Sequence, residues 1–512
     1  MNLTIFPGQF TFEQLNAIHG CDHIHYIVDS ASNAQVAASA RIVQTAAAGK
    51  EPVYGVNTGF GKLASSRIDE DALAQLQINL IRSHCVGVGT PLDKPVVRLI
   101  MALKVASLAR GYSGVRPAVI NSLISVMNAQ LTPCIPSQGS VGASGDLAPL
   151  AHMTLALMGE GAFMTAHQQI PATDALHKHG IPRLSLAAKE GLALINGTQT
   201  STALALHALF AFQPIFEAAL FIGSLSLEAA RGSDAPFDPR IHLVRGHPGQ
   251  IEVAKHYRNI LAGSNIRASH LTGDDRVQDP YILRCQPQVM GACLGQFRHI
   301  SEVLLREANA VTDNPLVFSE DDAIISGGNF HAEPVALVAD TMAVAIAEVG
   351  AIAERRIAML IDASISRLPP FLTVSPGLNS GFMVAHVTAA ALASENKSLA
   401  HPASVDSLPT SANQEDHVSM ATFAARRLQA IIDNVANILA IEWLASAQGI
   451  DFLRPLRSSE VLEAGHRLLR EKVPTLDSDR VISTDISVAT TMLKAGELSV
   501  VAREYGHVIS LW

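Results

Sequence analysis

The spacing of apolar residues along the chain changes near Gly114. Before it, short apolar runs such as residues 52–56 alternate with Gly-rich turns, which predicts a region of mixed secondary structure. After it, apolar residues recur with a helical period. Residues 335–364 are Ala-rich, contain no proline and follow Pro334. A helix of this length would be roughly 45 Å long, so the pattern predicts a long bundle helix.

Polar residues argue against membrane spans in the apolar segments. Charged side chains interrupt the apolar face of 335–364, so we expect it to pack in a bundle; they are Asp340, Glu348, Glu354, Arg355 and Arg356. Residues 415–448 predict a similar helix that ends at Gly449, a typical C-cap. The longest charge-free stretch, between Glu190 and Glu217, is interrupted by Asn, Gln, His and Pro and is a poor membrane span.

These patterns predict a mainly α protein. We expect a long central helical bundle with a smaller mixed N-terminal region that carries loops of the active site. The mixed α/β region is placed at residues 1–112 and the helical bundle at 113–512. The sequence contains no repeat, low-complexity tract or linker that would separate independent domains.

Composition narrows the classes of function. Apolar residues make up 48% of the chain and charged residues 16%, against about 25% charged in typical soluble proteins. This deficit indicates surface buried between subunits. A net charge of −9 argues against a nucleic-acid partner, which requires clustered basic residues. Five cysteines without paired spacing fit reduced thiols, and no targeting segment is visible. We therefore expect a cytoplasmic protein with no membrane partner.

Five compact clusters of glycine and polar residues interrupt the helical pattern. They lie at residues 55–61, 139–145, 196–202, 327–331 and 411–416. Loops of this kind, held by a rigid scaffold, are where binding and catalytic residues concentrate. Taken singly, each could equally be an ordinary connecting loop.

The cluster that begins at Gly139 has the most unusual chemistry. A serine hydrolase would need G-x-S-x-G, but Asp146 stands where the last glycine should be, and the Lys-Ser/Thr pair of a phosphate loop is missing. Small residues allow another reaction, in which the Gly145 nitrogen attacks the Ala143 carbonyl and closes a five-membered ring. Loss of water from Ser144 would then leave an electrophilic methylidene. From the spacing alone, a simple glycine turn is the competing interpretation.

Several long motifs, in order along nearly the whole chain, resemble the aromatic amino acid ammonia-lyases. They lie at residues 53–61, 139–152, 196–198, 277–288, 327–331 and 411–417. The resemblance implies a methylidene-imidazolone group made autocatalytically from Ala143, Ser144 and Gly145, with no external cofactor. It also implies a carbon–nitrogen lyase. No H-E-x-x-H or C-x-x-C type cluster is present, so we expect no catalytic metal.

The resemblance assigns the base and the groups around the electrophile. Elimination of ammonia needs a base for the β-proton, and the family implies Tyr54, whose phenol would need a pKa below its ordinary value of about 10. Tyr281 is implied to shape the surroundings of the electrophile. Asp146 is a candidate to assist ring closure. Loop packing for Tyr54 and helix capping for Asp146 are the alternatives.

Further residues are implied to bind the substrate. Arg284 would hold its carboxylate in a bidentate pair, unless it forms a structural ion pair. Asn196 and Gln278 would donate hydrogen bonds to the ring oxygen or the substrate, with helix-end capping as the alternative. Phe330 would pack against the substrate or the ring, although a lone Phe is more often a core residue.

Two residues bear on the choice of substrate, and one of them separates the candidates. Within the resemblance, His84 does not separate histidine from tyrosine as the substrate, but Glu415 favours histidine, because a carboxylate accepts a hydrogen bond from an imidazole N–H and gains nothing from a phenyl ring. We therefore expect non-oxidative elimination of ammonia from L-histidine to give trans-urocanate, the first step of histidine degradation. A tyrosine or phenylalanine ammonia-lyase or aminomutase, and a helical binding protein with a degenerate site, remain alternatives.

The family resemblance also implies a homotetramer with shared active sites. Tyr54, His84, Ser144 and Asn196 would come from one chain, and Tyr281 and Arg284 from a second. The scarcity of charged residues and the length of the predicted helices agree with apolar faces that continue into neighbouring chains. A monomer or dimer with self-contained sites is the alternative.

Overall fold

The computed structural model describes residues 1–165, 168–274 and 276–512. Long and short helices dominate these residues, and the strands are few and short. The prediction of a mainly α protein is therefore confirmed. The chain groups into two compact units. The first comprises Met1–His207, Glu302–Asp340 and Pro402–Arg426, and the second comprises Ala208–Ser301, Thr341–His401 and Arg427–Trp512.

All strands of the described residues belong to the first unit. Asn2–Ile5 pairs in parallel with His25–Val28, in a register that sets Asn2 opposite His25. The other pairings are antiparallel. They join Val88–Pro91 to Pro136–Gln138, Thr132–Pro133 to Ala162–Met164 and on to Gln169–Pro171, and Leu316–Phe318 to Ala323–Ile325. Several of them lie beyond residue 112, and the predicted boundary at 112/113 falls inside the first unit. The division of the chain at that boundary remains a prediction.

The first unit also contains nine of the described α-helices. Its α-helices are Phe12–Gly20, Asn33–Ala48, Leu73–His84, Lys94–Leu108, Pro117–Asn128, Leu147–Leu157, Ala172–Lys178, Glu190–Ile195 and Ala421–Arg426, with 3₁₀ turns at Ser30–Ser32, Gly61–Leu63, Glu70–Ala72 and Ser411–Asn413. Local sequence explains several starts. Thr11 and Gln14 form a reciprocal capping box before Phe12–Gly20, and Pro117 occupies the first turn of its helix, where no N–H is needed.

The second unit is helical throughout its described residues. Its helices are Pro239–Arg245, Pro248–Leu261, Asn265–Ala268, Tyr281–Arg284, Ala363–Ser366, Met383–Leu399, Leu428–Phe452, Glu460–Arg470, Ile482–Lys494 and Glu497–Glu504, with 3₁₀ turns at Ala235–Phe237 and Pro370–Leu372. Three further helices contribute residues to both units: Gln199–Ala229, Gln286–Ala308 and Glu333–Ile361.

The bounds of the two long helices were predicted with different accuracy. The segment 335–364 forms Glu333–Ile361, close to the prediction. The segment 415–448 is shifted, because ordered helix begins only at Ala421 and then runs from Leu428 to Phe452. Gly449 therefore lies inside a helix and is not its C-cap. A Cβ there would lie 2.8 Å from the Ala229 Cβ, so this glycine permits close packing of two helices.

Three helices are long and apolar enough, by length and composition, to cross a membrane: Gln199–Ala229, Glu333–Ile361 and Ala421–Phe452. This differs from the sequence analysis, which judged these segments poor spans. In the structure, 89%, 67% and 78% of their most apolar windows are buried within the protein. Burial against other parts of the protein accounts for their apolar character, and the absence of a membrane partner stays a prediction.

Candidate active site

A cavity of about 1100 Å³ in the first unit gathers most of the predicted site residues. Loops supply much of its wall, and the helices Leu73–His84, Leu147–Leu157 and Glu190–Ile195 supply most of the rest. Its lining includes Tyr54, His84, Ala143, Ser144, Asn196, Phe330 and Glu415. All five glycine and polar clusters singled out in the sequence contribute residues to this one space, although the cluster at 196–202 contributes only Asn196.

The Ala-Ser-Gly segment is held in a conformation that only glycine fits at its end. Gly145 has a φ of +75°, in the left-handed region that side chains disfavour. It forms a parallel bridge with Gly197, and the Asp146 N–H donates to the Gly197 carbonyl at 2.8 Å. A Cβ on Gly145 would overlap that backbone. The close approach of two backbones therefore requires glycine at this position.

Asp146 is fully buried and joins three separate segments. One carboxylate oxygen accepts from the hydroxyls of Ser140 at 3.0 Å and Thr422 at 2.6 Å. The other accepts from the backbone N–H of Ser201 at 2.7 Å and from its hydroxyl at 2.9 Å. Asp146 precedes the helix Leu147–Leu157, but its side chain makes no capping bond to that helix. It binds instead in the first turn of Gln199–Ala229, and so braces the Ala-Ser-Gly segment.

Ser144 connects to both walls of the cavity. Its hydroxyl donates to Glu415 Oε1 at 2.7 Å. Its carbonyl accepts from the side-chain amide of Asn196 at 2.8 Å. The backbone of Asn196 is in turn positioned by Lys104, whose side-chain nitrogen donates to the Asn196 carbonyl at 2.7 Å. Ser144 is therefore fixed at its side chain and at its backbone.

Glu415 is an anion in the cavity wall. Burial alone would raise its pKa, but hydrogen bonds from Thr410, Ser144 and Ser411 outweigh that effect and lower the pKa of Glu415 below its ordinary value. The Thr410 hydroxyl donates at 2.5 Å and the Ser411 hydroxyl at 3.0 Å, both to Oε2. Glu415 therefore carries its charge at neutral pH, with Oε1 directed toward Ser144.

His84 presents a neutral imidazole. It ends the helix Leu73–His84, and its Nδ1 lies 2.8 Å from the Leu80 carbonyl. Since a carbonyl can only accept, Nδ1 carries the hydrogen and Nε2 keeps a lone pair. Burial lowers the pKa of His84, partly offset by that hydrogen bond and by Glu415. His84 therefore offers a hydrogen-bond acceptor near the Glu415 carboxylate.

Within this chain, the surroundings of Tyr54 disfavour its phenolate. Burial is the largest cause of a pKa raised above the ordinary value, a hydrogen bond with the Gly61 backbone opposes it, and the Glu415 charge raises it further. The expected lowering of the Tyr54 pKa refers to the complete site and stays a prediction, because the residues of this one chain raise the pKa. The reason is that the phenol is partly removed from water and lies near an anion, both of which disfavour a phenolate.

Gln278, Tyr281 and Arg284 belong to the second unit, and none of them lines this cavity. Gln278 is exposed, and 70% of Tyr281 is accessible. The Arg284 guanidinium lies 4.4 Å from the centre of the Tyr281 ring, in a cation–π contact. Among the described residues Arg284 makes no ion pair, and its Nε has no hydrogen-bond partner. The structural ion pair considered for Arg284 is therefore not formed within the part of the chain that the structure describes.

The sequence did not reveal three residues that position site residues by hydrogen bonds. Thr410 fixes Glu415, Thr422 fixes Asp146, and Lys104 fixes Asn196. Lys104 could have been found, because it is a lysine flanked by apolar residues on both sides within the helix Lys94–Leu108. Thr410 lies only five positions before Glu415, but a single threonine beside a loop carries no distinctive signal. Thr422 could not be found from the sequence, because its partner Asp146 lies 276 positions away.

Comparison with known proteins places the chain in a family. Residues 10–471 match the family model for aromatic amino acid lyases, and the chain belongs to that family. It is 57% identical to a histidine ammonia-lyase of Burkholderia mallei, over 96% of this chain and 97% of that protein. Among solved structures, a histidine ammonia-lyase from Trypanosoma cruzi has a TM-score of 0.90 and 41% identity, covering 99% of this chain and 96% of that one. A tyrosine aminomutase from Streptomyces globisporus has a TM-score of 0.93 and 33% identity, covering 100% of both chains.

Proposed function

We propose that this protein is a histidine ammonia-lyase, which eliminates ammonia from L-histidine and releases trans-urocanate. The observation that carries the proposal is the ionised Glu415, whose Oε1 lies 2.7 Å from the Ser144 hydroxyl. A carboxylate here can accept a hydrogen bond from an imidazole N–H, whereas burying it against a phenyl ring would cost free energy. The 57% identical histidine ammonia-lyase supports the same substrate.

We further infer that Ala143, Ser144 and Gly145 form the methylidene-imidazolone group. The Gly145 nitrogen bonds to the Ala143 carbonyl carbon, and two waters leave, one with that carbonyl oxygen and one with the Ser144 hydroxyl. The residues fit this group, because Gly145 has the required freedom and Ser144 faces the cavity. When formed, the group supplies an electrophilic carbon to which the substrate adds.

Asn196 supports this assignment at the level of atoms. A five-membered ring closed from the Gly145 nitrogen to the Ala143 carbon keeps the carbonyl of Ser144 as its exocyclic oxygen. The Asn196 amide already donates to that oxygen at 2.8 Å. A neutral donor placed there stabilises negative charge that develops on the oxygen as the ring becomes more electron-rich.

Tyr54 is proposed as the base that removes the β-proton. With its pKa raised by burial and by Glu415, the phenolate is scarce at neutral pH in this chain alone. The complete site must therefore stabilise the phenolate by a positive charge. We propose that Arg284 of a second copy supplies this charge as well as the contact to the substrate carboxylate, and that Tyr281 and Gln278 enter with it.

Self-association supplies that second copy. Besides Tyr281, large apolar side chains of the second unit are exposed, including Val384 at 63% and Val387 at 59% on the helix Met383–Leu399. Exposed apolar side chains clustered on one helix favour burial against another protein surface. We propose a homotetramer, in which two-fold interfaces would bring the two sets of site residues together. A cytoplasmic location remains part of this proposal.

A substrate comparison tests the function directly. The purified protein is incubated with L-histidine, L-tyrosine or L-phenylalanine, and ammonia and the unsaturated acid are measured. Histidine should give equal amounts of ammonia and urocanate and the highest kcat/KM. An aminomutase, the alternative suggested by the fold neighbour at 33% identity, would return a β-amino acid without net ammonia. Preference for tyrosine or phenylalanine, or a β-amino acid product, would overturn the assignment.

A further inference from the structure

Beside the catalytic groups, the cavity edge holds a second set of chemically related side chains. His331 and Glu333, at the start of the helix Glu333–Ile361, are distant in sequence from His417, and the ligand atoms of the three residues lie within 4.8 Å of one another. We propose that these three residues bind a divalent cation of the zinc class. This goes beyond the proposed lyase activity, which uses none of the three. The cluster contains no local metal-binding motif, since its members meet only through the fold.

The tautomer of His331 leaves a nitrogen free for a metal ion. Its Nε2 lies 3.2 Å from the backbone carbonyl of His417. A carbonyl only accepts, so Nε2 carries the hydrogen and Nδ1 keeps its lone pair. Nδ1 is the nitrogen that faces Glu333 Oε2, at 3.9 Å. Metal-binding histidines are typically oriented in this way, with the other ring nitrogen donating to a carbonyl or carboxylate.

Glu333 presents an unpartnered carboxylate oxygen to the same space. Its Oε2 is buried and has no hydrogen-bond partner among the residues that the structure describes. Both His331 Nδ1 and His417 Nε2 lie 3.9 Å from this oxygen, beyond hydrogen-bond distance. A buried carboxylate oxygen without a donor is costly. A cation between the three groups would satisfy it.

The spacing suits a small tetrahedral ion. Zinc bonds of about 2.0–2.2 Å to nitrogen and oxygen put neighbouring ligand atoms roughly 3.3–3.5 Å apart. The two 3.9 Å separations from Glu333 Oε2 therefore need to shrink by about half an ångström. The two histidine nitrogens, which lie within 4.8 Å of each other, must also move closer together as the side chains rotate around the ion. The two imidazole rings are already nearly parallel, at 9° with centroids 5.6 Å apart. Two imidazoles and one carboxylate favour zinc-class ions over calcium or magnesium, which prefer oxygen ligands throughout.

The location gives the ion a potential effect on the reaction. His331 and His417 both line the cavity that holds Ser144 and Glu415. Three protein ligands leave a fourth position open in tetrahedral geometry. Water, or a nitrogen or oxygen atom of a molecule in the cavity, can occupy that position. We therefore expect zinc to alter the KM for the substrate, separately from any change in the electrophile.

Metal binding is measured on the intact protein without histidine, since histidine itself chelates zinc. Protein stripped with a chelator and then freed of it is titrated with Zn²⁺ by equilibrium dialysis and with Co²⁺ by visible absorption. The wild type should bind one ion per chain tightly, with the intense absorption of four-coordinate Co²⁺. Glu333→Gln and His417→Ala should each weaken Zn²⁺ binding at least tenfold. His386→Ala is the matched control, because His386 pairs with Glu354 at 2.8 Å without a third ligand, and it should bind like the wild type.

The outcome does not depend on the lyase assignment, because no substrate is present. Since 68% of the His417 side chain is exposed, His417→Ala should fold even if Glu333→Gln does not, and circular dichroism checks this. The proposal is overturned if the wild type binds no ion tightly. It is also overturned if folded His417→Ala binds Zn²⁺ as the wild type does, since the ion would then lie elsewhere, on other histidines or on the free cysteines. An ordinary imidazolium–carboxylate pair would give the first of these results.

Discussion

The hydroxyl of Ser144 donates to the carboxylate of Glu415 at 2.7 Å, across 271 positions of sequence. This bond joins the residue proposed to form the electrophile to the residue proposed to select the substrate. Since Glu415 is also held by Thr410 and Ser411, its position does not depend on Ser144. Loss of the Ser144 hydroxyl on formation of the electrophile therefore leaves Oε1 available as an acceptor for the substrate. The two roles can consequently be tested separately.

Replacing Ser144 by Ala should abolish activity while leaving the fold intact, because the methylidene carbon derives from the Ser144 side chain. The intact mass of the wild type should lie two waters below the mass encoded by its sequence. Ser144→Ala has no hydroxyl at this position, so it should not lose the second of these waters. Exposed Ser30 provides the control, since Ser30→Ala should keep both the mass deficit and the activity. An active wild type with the full encoded mass would contradict the proposed electrophile.

Glu415→Gln should lower kcat/KM for histidine at least tenfold. Loss of a charge-assisted hydrogen bond to imidazole costs about 1.5–3 kcal/mol, and each ~1.4 kcal/mol corresponds to a factor of ten. Steady-state kinetics with histidine measures the effect, and the intact mass shows whether the electrophile still forms. If the variant carries the mass deficit and keeps wild-type kcat/KM, Glu415 does not recognise the substrate.

Gly145→Ala should prevent ring formation and destabilise the protein. A Cβ at this position would overlap the Gly197 backbone, and φ is +75°. Both effects oppose the substitution. The mass deficit should disappear and the melting temperature should fall. Gly20→Ala is a suitable control, because a Cβ there meets nothing within 4 Å. A Gly145→Ala protein with unchanged mass deficit and stability would show that this backbone contact is unimportant.

Lys104 should make the stability of the protein depend on pH. Burial lowers the pKa of Lys104 to about 7, with Asp313 and Asp146 opposing the change. In the unfolded chain the lysine holds its proton up to about pH 10.4. Between these values the unfolded state binds more protons, so this group makes folding more favourable as pH rises from 7 to 9.

The comparison of Lys104→Met with the wild type isolates this contribution. The melting temperature of the wild type should rise relative to that of Lys104→Met between pH 7 and 9. Lys397→Met replaces an exposed lysine and should follow the wild type at every pH. Parallel curves for wild type and Lys104→Met would show that the buried lysine does not lose its proton in this range.

The sequence was a good guide wherever a signal is local. Apolar spacing predicted the helix Glu333–Ile361 nearly to its ends, and compact glycine and polar clusters predicted the loops that line the cavity. The resemblance to a family supplied the roles of Tyr54, His84 and Glu415, which local patterns leave open. Those roles remain predictions, although the structure brings the three side chains to one cavity.

What the sequence could not give depends on contacts between distant segments. A glycine such as Gly449 is typical of a helix C-terminus, but here it lies inside a helix and allows close packing against Ala229. The raised pKa of Tyr54 follows from burial and from Glu415, which is remote in sequence. The same holds for His331 and His417, which are unremarkable until their rings are seen to stack at 9°.

Shared active sites are the last prediction, and complementation tests them. Tyr54, His84, Ser144 and Asn196 line or border one cavity, whereas Arg284 lies in the second unit and does not line it. If each site takes Ser144 from one chain and Arg284 from another, Ser144→Ala and Arg284→Lys should both be nearly inactive alone. The first lacks the electrophile, and the second loses bidentate binding of the carboxylate.

Co-expression of the two variants, with different affinity tags, allows the mixed tetramers to be purified. Some sites in these assemblies combine an intact Ser144 with an intact Arg284, so activity should rise clearly above that of either parent. Ser144→Ala combined with the double variant Ser144→Ala, Arg284→Lys is the matched control, because no site then has an intact Ser144. If the mixed assemblies form and their activity stays at the parental level, each site is built within one chain. Such a result would leave the lyase assignment standing and remove only the sharing of residues, since the reaction itself is measured independently on the wild type.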